Sequence, residues 1–235
     1  MKTLQNTLPQ KKTDEIDGLS LTSLPRRTFF KFAGAGALGI ALTAESCKIT
    51  SKIDGGLNLG KGDFAVLNYA YALEQLEGAF YEKVTSNFYS GASELEKDLL
   101  TDISHDEIAH REWFREVLFL KKLPKLEFDF SSINFNDRAN VLNAAKDFED
   151  TGVSAYNGAG KLLDLGIFLA HAGKIVSVEA RHAATIRNLI SYGDFAGDDI
   201  INSNGLDVVQ TPEEVIKHTD KYFVTKINVT HMPTS

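Results

Sequence analysis

The chain has 235 residues, 43% hydrophobic and 24% charged, a composition that suits one or two globular domains and excludes disorder throughout. Its 32 acidic against 25 basic residues give a formal net charge of −7, so the basic footprint needed to displace counterions from phosphates is missing and nucleic acid is excluded as a partner. The single cysteine, Cys47, precludes an intrachain disulfide and a thiolate-rich zinc site, so any metal must be held by carboxylate and imidazole.

Residues 1–46 read as an export leader. A polar stretch ends in Pro25-Arg26-Arg27-Thr28-Phe29-Phe30-Lys31, and a weakly hydrophobic run of mostly Ala, Gly and Leu follows over residues 32–44. A charged region, a short apolar region and small residues at its end form the layout of a targeting peptide, too short for a transmembrane helix of about 20 residues. The paired arginines followed by Phe-Phe-Lys resemble the twin-arginine signal, a receptor-read address that implies the periplasm or cell envelope. Cys47, after Ala44-Glu45-Ser46, is either a lipid attachment point and membrane tether or lies just past a simple cleavage near Ala44 or Ser46. Removal of residues 1–46 would leave 28 acidic against 19 basic residues, a net charge of −9. Residues 47–61 read as a linker.

From Asp63 the apolar spacing is helical. In residues 64–84, Leu67, Ala70, Tyr71, Leu73, Glu74, Glu77, Tyr81 and Val84 recur at three- and four-residue intervals without proline. A second helix is expected from about 93 to 120, carrying Leu99, Leu100, Ile103, Trp113 and Phe114. Asn136 and Asp137 are N-cap candidates for a third, which continues toward Leu163, and a fourth covers about 165–191. Residues 121–135, with Pro124, would span at most about 50 Å if extended, against about 30 Å for a twenty-residue helix. That segment can return the chain to the starting end of a bundle, whereas the other helix pairs have short links. The expected fold is therefore all-α, a four-helix bundle over residues 62–191 with one long crossover between helices two and three. In the tail, 192–235, the capping box Thr211-Pro212-Glu213-Glu214 opens a short C-terminal helix over about 212–223.

Helices two and four each carry a Glu-x-x-His, Glu107 with His110 and Glu179 with His182. Residues three apart lie about 60° apart around a helix and about 4.5 Å along it, so each pair can hold one metal together. Helices one and three each carry a glutamate in an apolar or small-residue stretch with a tyrosine seven residues later, Glu74 with Tyr81 and Glu149 with Tyr156. Seven residues is nearly two turns, which places glutamate and tyrosine on one face about 10.5 Å apart. Glu77, one turn from Glu74, is an alternative ligand without such a tyrosine. The order Glu, then Glu-x-x-His, thus occurs twice and brings Glu74, Glu107, His110, Glu149, Glu179 and His182 to about one depth. Four carboxylates nearly neutralise two divalent ions in a low-dielectric interior, and imidazole with carboxylate suits iron or manganese.

Other residues have two readings each. Gly78 and Gly152, one turn from Glu74 and Glu149, weaken their helices by about 1 kcal/mol each relative to Ala, either to leave space beside the metals or to allow close helix packing. Tyr81 and Tyr156 are hydrogen-bond partners of ligand carboxylates and electron donors, or simply core. Asp106 and Arg181 either orient a ligand or are solvated helix positions. His105 falls on the surface, and His171, His218 and His231 are read as loop or tail residues. The sequence shows no serine nucleophile elbow, phosphate-binding glycine loop or heme signature.

The six-ligand order with both tyrosines resembles the ferritin-like superfamily of dinuclear carboxylate proteins over about residues 62–190, and is similar to the site pattern of bacterioferritin. With the twin-arginine leader it resembles the exported, desiccation-related branch. The resemblance implies two iron or manganese ions, bridged by Glu107 and Glu179, with Glu74 and Glu149 as terminal ligands and His110 and His182 on one ion each. It implies an oxidoreductase that reacts with oxygen or hydrogen peroxide, ferroxidase-like or catalase-like, with Tyr81 and Tyr156 as candidate catalytic residues. The alternative is a non-catalytic envelope protein for stress protection or partner binding, its metal only stabilising the fold. Cage-type storage by a homo-oligomer is a third option, which the tail and a lipid anchor would obstruct.

Overall fold

The computed structural model describes residues 52–53 and 55–234; the leader expected over 1–46, its paired arginines and Cys47 lie outside the described residues. In chain order come β1 (Lys52–Ile53), β2 (Gly56–Asn58), α1 (Asp63–Ser86), α2 (Glu94–Leu118), α3 (Arg138–Ala159), α4 (Gly166–Ile190), α5 (Pro212–Thr219) and β3 (Ile227–Asn228). Helices α1 to α4 form the four-helix bundle, α1 pairing with α2 and α3 with α4 along their lengths. The all-α fold with one long crossover is the one expected from the sequence.

Local chemistry sets the helix limits. The Ser93 side chain and Glu96 form a reciprocal capping box at the start of α2, and Asp137 accepts the N–H of Asn140 at 2.8 Å to start α3. Helix α2 ends at Leu118, two residues before the expected limit, because Phe119 takes a φ of 47° and the chain tightens into a 3-10 turn, Phe119–Lys121. Helix α3 likewise stops at Ala159 and passes into the 3-10 turn Gly160–Leu162, and α5 gives way at Asp220 to another.

Helix α1 is buried on nearly all sides, and two amides on it carry the loops that cross it. Asn68 donates to Leu59 O at 3.0 Å and to Lys121 O at 2.8 Å, and accepts the N–H of Leu123 at 2.9 Å. One turn pair further on, Gln75 accepts the N–H of Leu126 at 2.9 Å and donates to Pro124 O at 3.3 Å. The crossover has no ladder of its own here, and its buried backbone groups find partners in these side chains. Beyond it, Phe80 meets Phe130, Phe135 and Phe148 with ring centroids 6.1, 5.8 and 5.0 Å away. Phe80→Ala would remove that node at about 3–5 kcal/mol.

The flanking segments join the same core. Leu57 and Leu59 are buried with Tyr222, Phe223, Ile227 and Met232, and Tyr222 packs on Phe148 at 4.9 Å. Strand β2 pairs antiparallel with β1 and parallel with β3, Leu57 opposite Ile227. At Gly56, with φ +136°, a Cβ would lie 2.3 Å from Lys226 O, so only glycine allows this approach. Residue pairs too short to show period-two alternation left these strands unannounced in the sequence.

Candidate metal centre

The four long helices each bring one part of the site to the bundle interior: Glu74 from α1, Glu107 and His110 from α2, Glu149 from α3, and Glu179 and His182 from α4. All four glutamates are 0% exposed. Their ligand atoms fall into two overlapping groups, Glu74, Glu107, His110 and Glu179, and Glu107, Glu149, Glu179 and His182, each with its atoms within 4.8 Å of one another. Glu107 and Glu179 belong to both. The two imidazole rings face each other across the site with centroids 6.3 Å apart.

The pattern of buried atoms without hydrogen bonds fits a metal site. Both oxygens of Glu107 and of Glu179 lack a hydrogen bond, as do Glu74 Oε2, Glu149 Oε2, and the Nδ1 atoms of His110 and His182. Buried polar atoms are seldom left this way, because each costs about 1–3 kcal/mol. The remaining oxygens of Glu74 and Glu149 are taken by tyrosines: Tyr156 donates to Glu74 Oε1, and Tyr81 donates to Glu149 Oε1 at 2.5 Å. Each tyrosine therefore serves the glutamate of the opposite helix, not the one seven residues before it. Sharing a helix face places both near the site, but neighbours two turns apart on one helix cannot touch, whereas α1 and α3 can exchange partners across the core.

Electrostatically the site is an excess of acid. Burial raises the Glu179 carboxyl well above its ordinary value, and Glu107 adds to this; Glu74 and Glu149 are raised by burial too, against the pull of His110 and His182. Glu107 is the exception, lowered to about 2 because its contacts with the two imidazoles outweigh burial. Burial works against protonation of His110 and His182, yet the surrounding carboxylates, Glu74 and Glu149 foremost, raise both. His110 Nδ1 lies 2.8 Å from Glu179 Oε1, and His182 Nδ1 lies 2.8 Å from Glu107 Oε1. Both tyrosine hydroxyls are pushed well up by burial and then by their glutamates, which keeps them as donors.

Glu77 is a fifth carboxylate at the centre. It does not replace Glu74 but adds to it: 3% exposed, it stands outside both ligand groups, raised by burial and by Glu179, Glu107, Glu74 and Glu149. Its place depends on Gly152, where a Cβ would lie 2.9 Å from Glu77 Oε1 and 3.6 Å from Glu179 Oε2. Gly78 differs, since a Cβ there would meet only the Arg111 side chain, 3.3 Å from Nη1, and none of the ligands.

Among the remaining candidates, Asp106 Oδ2 lies 3.5 Å from His182 Nε2 and backs that ring. Arg181 is exposed and donates to Ser177 at 3.1 Å, away from the ligands, and His105 is exposed as expected. His171 is helical, not a loop or tail residue: it lies in α4 and stacks on Trp113 of α2 at 5.1 Å, while His218, in the tail helix α5, has its Nε2 2.7 Å from Asp147 Oδ1. Sequence reading missed Arg187, fully buried and paired with Asp150 and Asp199, both at 2.7 Å, which fastens the segment after α4 to the bundle. An arginine and two aspartates at no fixed spacing give no sequence signal.

A family profile described as ferritin-like domain matches residues 62–192, the span that supplies every ligand candidate. No curated protein matches the chain by sequence.

Proposed function

The chain belongs to the ferritin-like domain family, and on that premise we propose that it is an exported protein that holds two iron or manganese ions and consumes oxygen or hydrogen peroxide. The observation that carries the reading is the set of eight buried ligand atoms without a hydrogen bond, in two groups that share Glu107 and Glu179. Two such ions, when bound, would supply a two-electron couple for reducing oxygen or peroxide.

The chain's own residues have separate tasks. Glu107 and Glu179 offer two free oxygens each, as bridging ligands need, while Glu74 and Glu149 offer one each and are held in orientation by Tyr156 and Tyr81. His110 and His182 present Nδ1 to opposite halves of the site. Asp106 fixes the ring of His182 through Nε2. The phenols keep their protons and stand against the terminal carboxylates, where they also serve as electron donors. Export rests on Arg26-Arg27 and the apolar run after them, with Cys47 as the candidate tether.

Elemental analysis of protein purified from its native envelope tests this reading, with about two iron or manganese per chain expected. The loaded protein should consume peroxide or oxygen, and Glu107→Ala with His110→Ala should abolish both binding and consumption. Metal bound without consumption would assign the ions a structural role; no bound metal would overturn the proposal.

A further inference from the structure

We propose that the end of the bundle at which the chain enters α1 docks on the surface of an anionic lipid bilayer. Five large apolar side chains stand out there: Phe119 at 58% exposure, Leu120 at 81%, Leu165 at 46%, Ile167 at 62% and Leu169 at 48%. They lie on two chain reversals, Phe119 and Leu120 after α2 and Leu165 before α4, and on the first turn of α4, Ile167 and Leu169, which the first turns of α1 hold side by side. Asp63 accepts the N–H groups of Asp164 and Leu165 at 2.8 and 2.9 Å, Asn68 donates to Lys121 O at 2.8 Å, and Lys121 Nζ sits 3.9 Å from the Phe64 ring centroid.

The same reversals and the entry to α1 carry Lys61, Lys121, Lys122, Lys125 and Lys161. The acidic excess lies at the other end, where Arg138 joins the start of α3 to Glu96 of α2 and to Leu189 O of α4. There Glu94 and Asp98 are exposed, and so are the aromatic residues Tyr192 and Phe195, but beside Asp194, Asp198 and Asp199. Protruding apolar side chains within a lysine rim are the composition that inserts at a lipid interface, each lysine near an anionic surface adding about 1 kcal/mol. Aromatic residues among aspartates are repelled by it.

Two observations favour a bilayer over a second copy of this chain. Two-fold pairing through this end would set one lysine rim against another. The segment before residue 59 also joins the bundle here, since Leu59 O is bound by Asn68, so an anchor at Cys47 would draw this end toward a membrane. No helix among the described residues is long and apolar enough to cross one, so contact is with the surface.

The test is co-sedimentation of the full chain with vesicles of phosphatidylcholine containing about 30 mol% phosphatidylglycerol, against phosphatidylcholine alone. Binding to the anionic vesicles is expected, with loss in about 0.5 M salt. Lys122→Gln with Lys125→Gln should weaken it about 25-fold, at about fivefold per lysine. Leu120→Glu with Ile167→Glu should abolish it, while Tyr192→Glu at the acidic end should leave it unchanged. The exposed positions allow each variant to fold, which far-UV circular dichroism checks. Equal binding to both vesicle types, or patch variants that bind like the unaltered chain, would overturn the proposal. So would a dimer in sedimentation velocity that Leu120→Glu dissociates without any vesicle binding.

Discussion

Glu179→Gln should change stability with opposite sign in the metal-free and metal-loaded protein. Glu179 is 0% exposed and both its oxygens lack hydrogen bonds, so without metal any charge it carries is buried among other carboxylates. The variant keeps shape and removes that charge. His110, which loses its contact at 2.8 Å, keeps Glu74 at 3.5 Å and Glu107 at 3.7 Å. Burial and the neighbouring carboxylates already push the Glu179 carboxyl toward its neutral form, so the amide should relieve the metal-free site, on the order of the 1–4 kcal/mol gained when buried ionic groups are replaced outright. At about 2 kcal/mol, and about 2–4 °C per kcal/mol for a domain of this size, the metal-free Tm should rise by about 4–8 °C. With metal the change reverses, because Glu179 belongs to both ligand groups. Ions at a thousandfold excess over Kd stabilise the unaltered protein by about 4 kcal/mol, and the variant should lose most of that. Thermal unfolding by circular dichroism at neutral pH, in chelator and then in manganese or iron(II), reads both terms. A metal-free variant that melts below the unaltered chain would refute the reasoning, since it would mark Glu179 as an ordinary structural contact.

Tyr156→Phe should cost about 1–3 kcal/mol, because Glu74 Oε1 loses its buried donor, and should weaken metal binding about 10–100-fold in a competition titration. Gly152→Ala should displace Glu77 and alter metal binding, whereas Gly78→Ala, facing the end of Arg111, should gain up to about 1 kcal/mol of helix stability with metal content unchanged. Glu96 provides an acid-side pH dependence, its carboxyl lowered from 4.5 to about 2 by Ser93 and Arg138 against the cost of burial. Its stabilisation is present above the unfolded value and declines as pH falls from about 4.5 toward 2, where the folded state finally protonates. Discounted for the half-exposed Arg138, this is about 2 kcal/mol, which Glu96→Gln should remove from the difference between Tm at pH 6 and at pH 3.

The bundle and its six ligand candidates were legible because helical periodicity is local and the Glu-x-x-His spacing carries its own geometry. Both survive an error of a few residues at a helix end, such as the two-residue difference at Leu118 and the four-residue difference at Ala159. Pairings between distant segments were not legible. Nothing in residues 74–81 says that Tyr81 reaches Glu149 rather than serving Glu74, because that contact is fixed by how α1 lies on α3. Asn68 and Gln75 read as polar residues in an apolar helix, and their use became visible only with the crossover laid on them.

The charge balance at the centre leads one step further. With neutral imidazoles, four ligand carboxylates balance two divalent ions, so a fifth carboxylate within the same apolar core is unbalanced if ionised. Glu77 is that residue, and burial with four acidic neighbours favours its protonated form. It cannot be dismissed as a spectator, because Gly152 gives up about 1 kcal/mol of helix propensity at the one place where a side chain would displace it. Buried beside Glu179 and kept in place by the bare Cα of Gly152, Glu77 stands where a carboxyl group can hold a proton next to the ligands.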